Sequence, residues 1–333
     1  MSNLEDLPNE VVLKVLTYLK VEEIVRCHRV SKRIKTISHD ESLWKKINLY
    51  LCNFIPAELL QLVLNNGCQY LSLNKSTVVG NLHLENSSKL RYLDMTYLTA
   101  TDELKEKSLA SCDSLEKLSL MRMTLSPQML FSIFYQNGKT LQVLNLSRCR
   151  GVSMGLIQHC INLVELNLGE INQNISVDHL TENVSTKVEK LSLQFLKSIE
   201  NRHIKKLVTR CKKLRILHLR GTSISDESIT TIVEELKPSL EELDVSLTHV
   251  HLAKLLDLGA MPNFRVLYCW KLIGEISIVK SSLADVKINQ LINLKFADLE
   301  QNFKHEDGIW DVEAKRIELP TFDDDELSFD DDE

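Results

Sequence analysis

The sequence has no long hydrophobic run. None of its apolar stretches approaches the ~18 residues that a bilayer-spanning helix requires, and the first residues, "MSNLEDLPNE", are too acidic and polar for a secretory signal. We therefore expect a soluble protein of the nucleus, the cytoplasm or both, without a membrane partner. In those compartments its eight cysteines are expected to be reduced thiols.

Motifs that carry catalysis or hold a cofactor are also missing. The chain contains no Gly-x-x-x-x-Gly-Lys, no Gly-x-Gly-x-x-Gly, no His-Glu-x-x-His and no Gly-x-Ser-x-Gly. Its cysteines form no Cys-x-x-Cys pair and its ten histidines are scattered, so no metal-ligand set can be assembled from local spacing. We predict a non-catalytic protein with no cofactor and no metal.

The chain has no excess of positive charge. Its formal net charge is −6, and the last eleven residues, "DDDELSFDDDE", hold eight acids; without these eight the net charge is +2. Such a balance does not favour nucleic-acid binding. Because like charges repel, we expect residues 321–333 to form an acidic disordered end. Within it, Ser328 is either an acid-directed kinase site or an unmodified solvated residue.

What the sequence does have is an internal repeat, Leu-x-x-Leu-x-Leu. The second leucine recurs at steps of 22 to 26 residues, which fits the ~20–29-residue period of leucine-rich repeats. We predict an α/β solenoid of about ten repeats over 51–291, with parallel strands on the concave side and helices on the convex side. Clear copies begin at Leu90, Leu115, Leu141, Leu163, Val188, Leu214, Leu240 and Phe264. Ser126–Pro127 and Ser225–Asp226 predict helix starts between them.

The cysteines follow the repeat. Cys112, Cys160 and Cys211 each lie three residues before the first leucine of a unit, and Cys149 lies three residues after another Leu-x-Leu. A thiol that recurs at one position of each turn is best interpreted as a small apolar plug in the core. This pattern resembles the cysteine-containing type of leucine-rich repeat.

Residues that alternate with the buried leucines should face the concave side, where a partner would bind. Trp, Tyr and Arg dominate binding hot spots, and arginines can hold acidic or phosphorylated peptides through forked hydrogen bonds. The alternatives are solvated strand residues or cover by the chain's own tail. The candidate substrate-binding residues are Arg122, Arg148, His218, Arg220, Tyr268 and Trp270.

The first fifty residues do not fit the repeat and predict three short helices. One interpretation is a cap that covers the end of the solenoid. The segments "LPNEVVLKVLTYL", "VEEIVRCHRVSKRI" and "DESLWKKI" also resemble an F-box. The chain departs from that motif at Val21, Ser31 and Ile34, where many members have Pro, Cys and Trp. The residues that fall at the positions of the motif are Leu7, Pro8, Leu16, Leu19, Val30, Ser31, Arg33, Leu43 and Trp44.

An F-box (1–50) followed by cysteine-type repeats resembles the F-box/leucine-rich-repeat family, in particular its S-phase-kinase-associated branch. The segment "HEDGIWDVEAKRIEL" is similar to the tail that follows the last repeat in that branch. The resemblance covers about residues 4–319. It implies that residues 292–320 pack on the concave face.

In that family, members are substrate receptors of cullin-based ubiquitin ligases. The resemblance implies a Skp-type adaptor bound by the F-box, a cullin and a ring subunit reached through it, and a protein substrate, phosphorylated or not, held by the repeats. Degradation by the proteasome and a cell-cycle role would follow. The adaptor-binding residues that it implies are Leu7, Pro8, Val12, Leu16, Leu19, Ile24, Val30 and Trp44.

Two other hypotheses remain open. The chain could be a repeat scaffold or inhibitor whose N-terminal helices only cap the array, or it could bind the adaptor without recruiting a cullin. Exposure of the apolar F-box residues would separate the first of these from a receptor. The substrate itself cannot be carried over, because the chain has its own residues where that branch shows aromatic and arginine side chains: Glu170, Lys197, Gly221, Leu247 and His249.

Overall fold

The computed structural model describes residues 7–81, 89–171, 175–274, 276–283, 286–289 and 315–316. Four short helices come first, and further helices then alternate with strands. The helices are α1 (Asn9–Leu16), α2 (Val21–Cys27), α3 (Lys32–Ser38), α4 (Glu41–Trp44), α5 (Ala57–Asn65), α6 (Asp102–Ala110), α7 (Pro127–Phe131), α8 (Val177–Asn183), α9 (Asn201–Arg210), α10 (Asp226–Leu236) and α11 (Ile276–Ser282). A π-helical turn (Ser132–Gln136) and two 3₁₀ segments (Ile157–His159 and Leu252–Ala260) complete the helical side.

Twelve of the described strands form one parallel sheet, and two short strands pair beside it. Leucines at the centre of neighbouring strands lie in register, as at Leu166, Leu191 and Leu217, so the repeat predicted from the sequence is confirmed. The strands of the large sheet, from one edge to the other, are β14 (Lys315–Arg316), β1 (Lys46–Asn48), β3 (Tyr70–Ser72), β5 (Tyr92–Asp94), β6 (Lys117–Ser119), β7 (Val143–Asn145), β8 (Glu165–Asn167), β9 (Lys190–Ser192), β10 (Ile216–His218), β11 (Glu242–Asp244), β12 (Val266–Tyr268) and β13 (Lys287–Asn289); the small pair is β2 (Ile55–Pro56) with β4 (Val78–Val79).

The N-terminal helices are held to each other by hydrogen bonds. The Trp44 indole donates to the Ser38 carbonyl over 2.6 Å. Arg33 on α3 donates to Asn9 Oδ1 and to the Leu7 carbonyl at the start of α1. Ser31 caps α3 as its hydroxyl accepts from the Ile34 amide. The three predicted helices are present, with α4 as an additional turn.

The F-box helices continue directly into the solenoid. The Lys45 carbonyl, just after α4, accepts hydrogen bonds from the amides of Gln69 and Tyr70 in the next repeat, each over 3.0 Å. His39 Nδ1 lies 2.7 Å from Asn66 Oδ1. The helices therefore cover the first repeat, and a cap is part of their structural role.

The predicted cysteine plugs are confirmed. All eight thiols are free and, apart from half-buried Cys27, all lie in the core. The Cys149 thiol lies 2.9 Å from the Leu120 carbonyl of the preceding repeat. Burial raises the pKa of Cys149 to about 12, so it is a neutral thiol.

Each of ten strands, from β1 to β12, is followed by the same turn. The third residue after the strand has a positive φ, between 55° and 68°. Where the strand ends in Asn or Asp, its Oδ1 accepts the amide two residues later, as Asn145 does from Ser147 over 3.0 Å. The left-handed residues are Leu51, Lys75, Tyr97, Arg122, Arg148, Glu170, Phe195, Gly221, Leu247 and Lys271.

The predicted domain boundaries at 292 and 321 lie outside the described residues. Of the predicted tail, only Lys315 and Arg316 are described, and they pair in parallel with Ile47 and Asn48 at the sheet edge nearest the F-box. No helix in the described part of the chain is long and apolar enough to cross a membrane.

Candidate functional site

Helix α1 presents an apolar stripe to solvent. Pro8, Val11, Val15 and Tyr18 follow one another at steps of three and four residues, so they share one side of the helix. Val11, Val15 and Tyr18 are 42%, 44% and 78% exposed. We call these four residues the α1 stripe. Val30, in the turn before α3, is also exposed, at 63%.

Four of the predicted adaptor residues are buried in this structure. Val12, Leu16, Ile24 and Trp44 are at most 3% exposed and form the core of the helical domain, so they present no surface to a partner. The F-box resemblance implied Val12 and Leu16 as contacts, but α1 carries apolar residues on two neighbouring sides, and only the three-dimensional packing shows which side is inside.

Of the other predicted adaptor residues, Pro8 and Val30 are exposed, while Leu7 and Leu19 are half-buried against the core. These four stay predictions. The outward residues Val11, Val15 and Tyr18 were not predicted as contacts. Their signal in the sequence was the number of apolar residues in α1, which exceeds what a single buried face needs.

A neutral histidine supports the end of α2. The His28 ring lies 4.7 Å from the His39 ring and 6.5 Å from Trp44. Burial, with smaller contributions from His39 and Lys35, lowers the pKa of His28 to about 4. Its Nε2 is buried without a hydrogen-bond partner, which agrees with an uncharged ring.

On the concave side, Arg220 is stacked between aromatic rings. Its guanidinium lies 5.7 Å from the centre of the Phe195 ring and 5.1 Å from that of Trp270. Arg220 is only 6% exposed and its Nε has no hydrogen-bond partner. Lys271 adds a second cation 4.6 Å from Trp270, which is itself half-buried. The group combines positive charge with aromatic area.

His218 and Tyr268 form the floor beside this group rather than its surface. His218 Nε2 lies 2.8 Å from Glu242 Oε1, and Gln194 approaches its Nδ1 at 3.3 Å. The Tyr268 ring packs edge-on against His218. Both predicted contact residues are buried, so in this conformation they are not presented to a partner. The physical reason for the burial of His218 is its enclosure by Gln194, Glu242 and Tyr268 of the neighbouring repeats.

The three predicted arginines do not form one site. Arg122 and Arg148 follow adjacent strands, β6 and β7, whereas Arg220 follows β10, three strands further along. Arg148 is bound to Glu170 by two hydrogen bonds of 3.1 Å. Arg122 is exposed and lies over the Tyr97 ring at 5.1 Å. The three arginines therefore cannot bind one phosphate group together.

One column of concave residues was missed in the sequence analysis. The first residue of each strand lies on the same face as the third, since side chains alternate with a period of two. This column holds a buried ion pair between Glu165 and Lys190, 2.9 Å apart, and a stack of Tyr70 on Tyr92. The residue before each second leucine was the signal that could have found it. No cluster of three potential metal ligands occurs among the described residues.

Comparison with known families agrees with this architecture. The family described as the SKP2 LRR domain matches residues 58–317, and the F-box-like family matches residues 4–50. The chain belongs to the F-box/leucine-rich-repeat family. In this family the F-box indicates a Skp-type adaptor as partner, and the SKP2-type repeats indicate a substrate-binding surface of an SCF-type receptor.

Among solved structures, the chain is similar to the internalin InlF of Listeria monocytogenes, with 20% identity, a TM-score of 0.52 and 76% of each chain covered. It also matches internalin C2 of the same species, with 18% identity, a TM-score of 0.33, and 57% of this chain and 77% of that chain covered. The likeness to InlF shows the leucine-rich-repeat solenoid and nothing about function.

Proposed function

We propose that this F-box/leucine-rich-repeat chain is the substrate-recognition subunit of an SCF-type ubiquitin ligase. Its F-box would bind a Skp-type adaptor, which brings the cullin and ring subunit, and its repeats would hold the substrate. The chain would contribute proximity, because it places substrate lysines near the ubiquitin thioester that the other subunits carry. Proteasomal degradation of the substrate, a cell-cycle regulator being one candidate, would follow.

The observation that carries the proposal is the two-sided helix α1. A domain that only capped the solenoid would need an apolar inner side and a polar outer side. Here Val12 and Leu16 fill the inner side, while Val11, Val15 and Tyr18 leave apolar area in solvent on the other. Exposed apolar area beyond scattered residues is a mark of a protein interface. It favours a receptor over a scaffold or inhibitor that is not coupled to a ligase.

Calorimetry with a purified Skp-type adaptor tests this proposal. We expect the full chain to bind with a submicromolar Kd. A Val11→Glu/Val15→Glu variant should bind at least tenfold more weakly, because two carboxylates would have to be desolvated in an apolar interface. The control is Ile161→Glu, a comparably exposed apolar residue of the repeats. Circular dichroism checks that all three proteins are folded.

Absence of binding by the folded wild-type chain would contradict the proposal and favour a scaffold or inhibitor that is not coupled to a ligase. Equal binding by the wild type and the α1 variant would show that the stripe is not the interface. A further step, co-purification of the adaptor complex with a cullin and ring subunit, separates a working receptor from a chain that binds the adaptor alone.

A further inference from the structure

The first strands of the sheet carry two rows made up of tyrosines and cations. One row lies at the starts of the strands and the other in the turns that follow them. We call the eight residues together the N-terminal basic face. Its inner row is Lys46, Tyr70, Tyr92 and Lys117, and its outer row is Tyr50, Lys75, Tyr97 and Arg122.

The outer row is ordered by contacts between cations and rings. Lys75 Nζ lies 5.7 Å from the centre of the Tyr50 ring and 6.0 Å from that of Tyr97, and the Arg122 guanidinium lies 5.1 Å from Tyr97. Lys75, Tyr97 and Arg122 all occupy the left-handed turn position, so the backbone presents one of them per repeat. Neighbouring strands lie ~4.8 Å apart, so the row is continuous.

The inner row has the same character. Tyr70 and Tyr92 stack with their ring centres 4.2 Å apart. Lys46 lies 5.2 Å from Tyr70 and Lys117 lies 5.3 Å from Tyr92, so a cation closes the stack at each end. The rings of this row are half-buried.

Among the residues that the structure describes, the four cations of this face, Lys46, Lys75, Lys117 and Arg122, form no ion pair. The nearby Arg91 and Arg148 are bound to Glu116 and Glu170. The acid on the floor between the rows, Asp94, is buried and already accepts from the Thr96 amide and the Asn74 side chain. A surface of free cations and tyrosine rings is suited to an acidic peptide that also carries an aromatic side chain.

The chain itself holds such a peptide within reach of this face. Strand β14 is parallel to β1, and Arg316 pairs with Asn48, the last residue of β1 and two residues before Tyr50 of the outer row. Residues 317–322 are six residues and can span up to ~20 Å. Four strand spacings, from β14 to β6, are ~19 Å. The segment that follows, 323–333, holds eight acids with Leu327 and Phe329 among them.

We propose that the acidic C-terminal segment, residues 323–333, docks on the N-terminal basic face of the same chain. Its carboxylates pair with Lys75 and Arg122 on the outer row, and Phe329 supplies a ring for the tyrosines. A substrate segment of similar composition then has to displace it. This proposal does not depend on a ligase role, since it concerns only contacts within the chain.

The test uses a chain that ends after Pro320 and a fluorescent synthetic peptide of residues 321–333, with anisotropy as readout. We expect the peptide to bind the shortened chain, and to bind the full chain at least tenfold more weakly, because the tethered segment competes at high effective concentration. Binding should also weaken as salt is raised from 50 to 300 mM.

Two matched variants of the shortened chain identify the surface. Lys75→Glu/Arg122→Glu should reduce peptide binding at least tenfold. Lys139→Glu/Lys213→Glu makes the same change of charge at exposed lysines outside the face and should leave binding within twofold. No binding to the shortened chain, equal binding to shortened and full chains, or equal losses in both variants would overturn the proposal. Circular dichroism confirms that each variant is folded.

Discussion

At the scale of single residues, the structure depends on side chains whose environment could not be read from their neighbours in sequence. His28 adjoins Cys27 and Arg29, yet its ring contacts His39 and Trp44, which come from α3 and α4. The sequence indicated an apolar F-box core but not that a histidine would be held uncharged within it. Its protonation therefore couples the stability of the F-box to pH.

We expect His28 to make the folded chain sensitive to acid. Its folded pKa, about 4, lies below the ordinary value of 6.5, so as the pH falls through 6.5 the unfolded chain takes up a proton that the folded chain does not. The stability that the neutral His28 contributes is therefore lost between about pH 6.5 and 4, and this contribution is fully present above that range. The difference in urea midpoint between pH 7.5 and 5 should shrink in His28→Phe. The exposed His249→Gln serves as control and should keep the wild-type difference.

Gly221 is the one glycine in the column of left-handed turn residues. A Cβ at this position would lie 2.6 Å from Cδ1 of Phe195, the ring that stacks on Arg220. Gly221→Ala should therefore lower the free energy of unfolding by about 1–2 kcal/mol, through backbone strain at a φ of +68° and displacement of the ring. Gly155→Ala, whose Cβ would meet only Ser153 Oγ at 3.7 Å, should change it by less than ~0.5 kcal/mol. Thermal unfolding of both variants measures these changes, and equal losses in the two variants would contradict the prediction.

At the scale of elements, local signals placed the helix starts but not always the group that caps them. Ser126 accepts a hydrogen bond from the Met129 amide and Pro127 occupies the first turn, as predicted. Ser225 stands at the predicted start of α10, but its hydroxyl makes no cap hydrogen bond. The start of α10 is instead held by Asn201 of the preceding repeat, whose Oδ1 accepts from the Ser225 amide. This contact joins residues 24 apart, and local spacing cannot indicate it.

Asn201 should accordingly contribute more to stability than Ser225. Its Oδ1 accepts from the Ser225 amide over 2.9 Å and from the Ser228 hydroxyl over 2.7 Å. We expect Asn201→Ala to lower the free energy of unfolding by about 1–2 kcal/mol and Ser225→Ala by less than ~1 kcal/mol. Urea unfolding of the two variants compares these free energies. A larger loss for Ser225→Ala would contradict the larger contribution that we assign to Asn201.

At the scale of the whole molecule, the repeat period was sufficient to predict the solenoid, its parallel sheet and its cysteine plugs. It could not predict which side of α1 is buried, because Val11 and Val12 are neighbours of the same residue type, yet Val12 is buried and Val11 is exposed. It also could not separate Arg148, which binds Glu170, from Arg122, which forms no ion pair with a residue that the structure describes. Those distinctions depend on contacts between repeats.

The cap should stabilise the solenoid locally. In a repeat array each unit contacts mainly its neighbours, so the loss of one end affects the nearest units most. We expect a chain that begins at Lys46 to show faster hydrogen exchange at the amides of Gln69 and Tyr70, whose acceptor at Lys45 is removed. Amides of β9 and β10 should exchange as in the full chain. Faster exchange throughout would instead indicate one cooperative unit.

The left-handed turn gives the molecule a variable position with a constant backbone. Leucine, lysine, tyrosine, arginine, glutamate, phenylalanine and glycine all occupy it in successive repeats of this one chain, with φ confined to 55–68°. Side chains here are separated from the leucine core, so exchange of one for another alters the rim without altering the register of the sheet. In evolutionary terms, each residue of this row can be substituted independently of the others. A solenoid of this design can therefore acquire a new ligand by a few point mutations while its scaffold stays the same.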